Sequence, residues 1–151
     1  MGLDMYLTAK KYLSELDPAE KKAAEAIAAL LGVPLTVETV SLRAAYWRKA
    51  NAIHKWFVAH VSNGEDDCQE HDVSDDDLRE LLAACEAVLA DRSKAAELLP
   101  TQDGFFYGGT AYGDGYFSTL EDTRQQLQKL LVDRRLNDAF KDFYFTYRAS
   151  W

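Results

Sequence analysis

The chain opens on alternation. Leu3, Met5 and Leu7 interleave with Asp4, Tyr6 and Thr8, so a strand over residues 2–12 with one buried face is predicted. Asp17-Pro18 sets a capping carboxylate and a first-turn proline ahead of an alanine-rich helix. That helix is expected to run to Leu31, to bury Ala23, Ala24, Ile27, Leu30 and Leu31, and to stop at Gly32. Residues 35–40 are rich in β-branched side chains and form a second strand or an extended lead-in to the next element. From Tyr46 the steps become three and four: Tyr46, Ala50, Ile53, Phe57 and Val61 share one face. This spacing predicts a central helix that ends at Asn63-Gly64. Ser74 and the acids behind it cap a further helix, striped by Leu78, Leu81, Leu82, Cys85, Val88 and Leu89. A short helical turn is predicted over 95–99, and a last helix over 116–136. Residues 138–151 are dense in alternating aromatics and form a closing strand. The expected fold is α+β: a single domain over 1–151, with about four helices on a small antiparallel sheet that pairs the N- and C-terminal strands.

Candidate chemistry concentrates in two places. On the central helix, Trp47, Asn51, His54 and Val58 fall on one stripe, because residues three or four apart are neighbours on a helix surface. Tyr46, Arg48 and Lys49 lie beside it, and Arg43 just upstream. Trp47 offers a stacking face, Asn51 and His54 directional hydrogen bonds, and the cations a match for phosphate, which arginine binds through two parallel donors. The plainer reading is a buried helix whose polar groups have structural partners. Residues 101–116 alternate glycines with aromatics. Gln102, Gly104, Phe106, Tyr112 and Tyr116 form the expected lip of a ligand cavity there, since glycine lets backbone approach closely and aromatics stack. An ordinary turn-rich loop explains them equally well. The segment is neither a P-loop nor a dinucleotide fingerprint.

Charge narrows the partners. The formal net charge is -8, which disfavours affinity for nucleic-acid backbone. The acids cluster between Glu65 and Asp77, with Cys68 and His71 among them. A metal site from Asp66, Cys68, His71 or Asp72 lacks the spacing of a known motif, so no metal and no cofactor is expected. The same loop, folding back beside the central helix, is expected to pair Asp66 or Asp67 with Arg48 or Lys49. Two cysteines without a CxxC suit a reducing cytoplasm. No secretory or membrane-spanning segment is expected.

Met1 to Leu7, Tyr46 to Val58, Asp66-Asp67-Cys68, Leu98 to Gly108 and the Ser150-Trp151 end together resemble a family of small phage and prophage proteins without an established role. Members are sometimes labelled phosphoglycerate kinase, but this chain is far too short for a two-domain kinase. The resemblance implies a phage setting, in which small cytoplasmic proteins disarm host defences. The leading expectation is therefore a binding protein, expected as a homo-oligomer, that sequesters a small anionic, nucleotide-derived ligand. One alternative is a phosphoesterase or hydrolase with His54 as acid or base, oriented by Asp66 or Asp67, and Arg48 on the phosphate. The other is an acidic protein-protein inhibitor of a host enzyme.

Overall fold

The computed structural model describes residues 2–151. Nine residues of alternating pattern, Asp4–Tyr12, form β1 and turn Met5 and Leu7 fully inward. Helix α1 (Pro18–Leu31) begins under the Asp17 carboxylate, which accepts from the N–H groups of Ala19 and Glu20. It ends at Gly32, whose φ of 69° is the left-handed conformation that glycine adopts without penalty. The chain returns as β2 (Thr39–Arg48) and turns at Lys49 (φ 54°) into α2 (Asn51–His60). Short β3 (His71–Val73) leads into α3 (Asp75–Ala90), where Ser74 and Asp77 close a reciprocal capping box. A 3-10 turn at Arg92–Lys94 and α4 (Ala95–Leu98) precede the glycine-rich loop. Then come α5 (Asp114–Leu136), α6 (Asp138–Lys141) and β4 (Tyr144–Ser150).

The four strands form one antiparallel sheet in the order β2-β1-β4-β3. The N- and C-terminal strands thus pair at its centre, Leu7 opposite Tyr147. One sheet face carries Leu3, Met5, Leu7, Trp47, Phe145 and Tyr147 into the core. There it meets Ile53 and Phe57 of α2, Leu78 and Leu81 of α3, and Leu120 and Leu127 of α5. This is the one-sided burial expected of an antiparallel sheet. No helix among the described residues is long and apolar enough to cross a membrane.

Four expectations need correction. Tyr46, Trp47 and Arg48 belong to β2 and not to the helix, because they pair with Tyr6, Met5 and Asp4 of β1. Their side chains alternate, Trp47 inward and its neighbours outward, and the helix starts only after the turn at Lys49. The second strand consequently lies later than residues 35–40. On α1 only Ala24 and Ala28 are buried, while Leu30 and Leu31 are 88% and 68% exposed. At the C-terminal end, α6 occupies 138–141, so the closing strand starts only at Tyr144.

Candidate functional site

Two adjoining arrangements grow from α2. The first is a sealed polar network around His54, which is 1% exposed. Its Nε2 lies 3.0 Å from Asp66 Oδ2, and its Nδ1 lies 2.7 Å from the Tyr147 hydroxyl. A carboxylate only accepts, so Nε2 carries the proton toward Asp66. In the neutral ring Nδ1 then accepts from Tyr147. Tyr107 also donates to Asp66 Oδ2 at 2.7 Å, and the Trp151 indole donates to Oδ1 at 3.0 Å. Asp66 therefore ties α2, the glycine-rich loop and the C-terminal residue to one carboxylate.

The electrostatics follow from that geometry. Burial pushes the Asp66 carboxyl up, but the hydrogen bonds from Tyr107, His54 and Trp151 outweigh it and leave its pKa lowered. Desolvation, then the carboxylate at Asp66, raises the Tyr107 phenol. Desolvation raises Tyr147 well above the ordinary phenol value. Both tyrosines stay protonated donors. Every buried side-chain polar atom among the described residues has a partner. The space beside His54, bounded by Ser62, Asp66 and Cys68, is about 10 Å³, too little for a substrate.

The second arrangement is a cleft of about 370 Å³ where α2 and α5 begin. Lys49, Asn51 and Ala52 form one wall, Gly108 and Gly109 the rim, and Gly115 and Tyr116 the far side. Asn51 builds it. Its Nδ2 donates to the carbonyls of Tyr107 (3.1 Å) and Gly109 (2.9 Å), and its Oδ1 accepts from the Gln102 N–H at 3.0 Å. At Gly108, φ is +87° and an added Cβ would come within 3.3 Å of the Lys49 Cβ, so glycine is required for the loop to pass the lysine. Neither Ala50 before α2 nor Gly113 before α5 caps its helix with a side chain. The first-turn N–H groups of both helices are thus left for another acceptor. A larger groove of about 420 Å³ runs between α1 and residues 33–37. It has no comparable convergence of backbone donors, and the cleft at α2 and α5 is the better-formed polar site.

The candidate residues part company accordingly. Lys49, Asn51 and Tyr116 line the cleft. Tyr112 abuts it, its ring 5.0 Å from that of Tyr116 and its hydroxyl accepting from the Thr101 N–H. Gln102 touches the site only through its backbone N–H, and Phe106 acts through its carbonyl, which accepts from Leu3. Trp47 cannot stack on a ligand: it is 4% exposed and its indole donates to Thr123. His54 is enclosed in the network. Arg43 and Tyr46 lie together on the open sheet face, the guanidinium 5.3 Å from the ring centroid, with Tyr46 donating to Asp4. Arg48 is exposed beside Gly2. Asp66 and Asp67 pair with His54 and His71, not with Arg48 or Lys49.

Sequence reasoning missed Tyr107, Tyr147 and Trp151. The inward alternation Phe145, Tyr147, Ala149 was the available signal for the second of these. Cys85, desolvated among the leucines of α3, is pushed up to about 12 and is an inert packing thiol.

Two substitutions probe this framework. An alanine Cβ at Gly104 would sit 2.6 Å from the Tyr107 ring. Gly104→Ala is expected to cost about 1–3 kcal/mol by overpacking, measured by urea denaturation. Trp47→Phe keeps the ring but removes the donor to Thr123. It is expected to cost about 1 kcal/mol in the same assay.

Searches of protein-family models, curated proteins and solved structures return no match to this chain.

Proposed function

We propose that the protein binds and holds a small anionic ligand in the cleft between α2 and α5. In the phage setting that the sequence resemblance implies, the ligand is nucleotide-derived and the role is to sequester a host defence signal. The supporting observation is the meeting of two uncapped helix N-termini, Lys49 and glycine backbone around about 370 Å³. Helix N-termini present free N–H groups and a partial positive charge to an anion, and the volume falls within the usual range for small-molecule sites. Tyr116, with Tyr112 edge-on to it, supplies an aromatic wall for a base. Lys49 has no ion-pair partner among the described residues.

The hydrolase reading is less well supported. Both ring nitrogens of His54 are engaged, and the ring is sealed. The acidic-inhibitor reading is weakened because Asp66, Asp67, Glu70, Asp75, Asp76 and Asp77 are engaged inside the chain.

Titration calorimetry against cyclic and ADP-ribose-type nucleotides tests the proposal. One member of the panel is expected to bind, and Lys49→Glu is expected to weaken it at least tenfold, about 1.4 kcal/mol. Absence of heat across the panel, with folded protein, rules out this class of ligand.

A further inference from the structure

The outer face of the sheet carries a second arrangement, separate from the cleft. Helices α2, α3 and α5 pack on the inner face. On the outer face the strand register sets side chains in rows. Tyr6 of β1 lies between Tyr46 of β2 and Arg148 of β4. To one side of that row, Asp4 lies between Arg48 and Ser150; to the other, Thr8 lies between Arg43 and Thr146. Successive rows on one face are roughly 7 Å apart along a strand. Each row thus holds an arginine. The middle row also holds two tyrosines, both partly exposed, with ring centroids 5.4 Å apart.

A backbone irregularity sets the place of Arg43. Arg43 and Tyr46 are three residues apart, so regular alternation would put them on opposite faces. The register skips Ala44: Ala45 pairs with Leu7, and Arg43 pairs with the next residue, Thr8. This bulge returns Arg43 to the outer face, where its guanidinium lies 5.3 Å from the Tyr46 ring centroid. Bulges re-aim side chains in this way beside functional surfaces. Arg43, Arg48 and Arg148 are exposed, and none has an ion-pair partner among the described residues. The acids nearby are engaged or marginal. Tyr46 donates to Asp4, and Glu70 pairs with Lys10. Asp72 lies opposite Thr146 on the edge strand β3, and Asp122 lies across the groove that separates β2 from α5. The net charge of -8 is therefore unevenly spread, and the β2 side of this face is locally positive.

We propose that the outer face of the sheet binds single-stranded nucleic acid, with bases stacked on Tyr6 and Tyr46 and phosphates met by Arg43, Arg48 and Arg148. Aromatic rings on an open antiparallel sheet take unstacked bases, and flanking cations track the backbone. A duplex keeps its bases stacked on one another and offers these rings nothing. A single nucleotide reaches one ring, so a run of several is the fitting ligand. The site is independent of the cleft.

Fluorescence anisotropy of a labelled oligothymidylate of about ten nucleotides, titrated with the whole chain, tests the proposal. Binding is expected at about 50 mM salt and weakens as salt rises, with a log–log slope of about -2 for three phosphate contacts. Tyr6→Leu is expected to weaken binding about tenfold, while Tyr6→Phe, which keeps the ring, is expected to match the wild type. Arg148→Gln is expected to weaken binding and to reduce the slope by about 0.7. Circular dichroism establishes that each variant is folded, and Arg148, being exposed, keeps the test decisive if Tyr6→Leu does not fold. Absence of binding at low salt overturns the proposal. So does unchanged affinity in folded Tyr6→Leu or Arg148→Gln protein. Equal affinity for duplex DNA or for heparin also overturns it and marks a general polyanion surface without base stacking.

Discussion

Asn51→Ala is expected to destabilise the protein by about 3 kcal/mol and to abolish ligand capture by the cleft. The side chain answers three backbone groups of one loop, the carbonyls of Tyr107 and Gly109 and the N–H of Gln102. It is itself 5% exposed, so water does not readily replace it. Alanine leaves those groups to find new partners and leaves a hole where the amide was. For a chain of this length the effect corresponds to a fall of roughly 6–12 °C in Tm. Asn51→Asp separates shape from hydrogen bonding. It keeps the volume but sets an acceptor against two carbonyls, and is expected to be at least as damaging. Thermal denaturation checks both variants. A loss under about 1 kcal/mol in Asn51→Ala would mean that the loop is held elsewhere.

The second large effect belongs to Asp66. Asp66→Ala removes the acceptor shared by His54, Tyr107 and Trp151. Trp151 is half exposed and can turn to water, but the His54 and Tyr107 donors are buried. A loss of about 3 kcal/mol is expected from two orphaned donors. The same carboxylate sets a pH dependence. Its pKa is lowered in the folded state, so its contribution is fully present above the ordinary carboxylate range. That contribution is lost as pH falls through the lowered value, when the protonated group no longer serves three donors. Denaturation midpoints measured from neutral to acid pH are expected to fall less steeply in Asp66→Ala than in the wild type. Parallel profiles would contradict the role given to this carboxylate.

The sequence made some elements plain and concealed others, for physical reasons. The signals for β1 and for the Asp17 and Ser74 caps are local, the alternation at both ends of the chain is consistent with pairing the first and last strands, and each appears in the fold. Tyr46 misled because its three-and-four spacing to Ala50, Ile53 and Phe57 coexists with the two-residue alternation of β2. Only the pairing of Tyr46 with Tyr6 decides between them. Trp47 and His54 look like a ligand stripe in sequence, yet the turn at Lys49 separates them into a strand and a helix with different partners. Asn51 was legible as important but not in its role: an amide that reads a ligand edge and one that pins a loop have the same letter. The burial of α1 failed because amphipathic spacing says that a face is apolar, not that anything covers it.

The most direct test of the central claim is residue-resolved. Amide chemical shifts of the labelled protein would be followed while a bound nucleotide from the calorimetric panel is added. The expected result is that the largest shifts fall on Ala52, Ile53, Gly108, Gly109, Gly115 and Tyr116, around the two helix starts and the glycine rim. Shifts concentrated on the open sheet face around Arg43 and Tyr46, with those six amides unmoved, would contradict it.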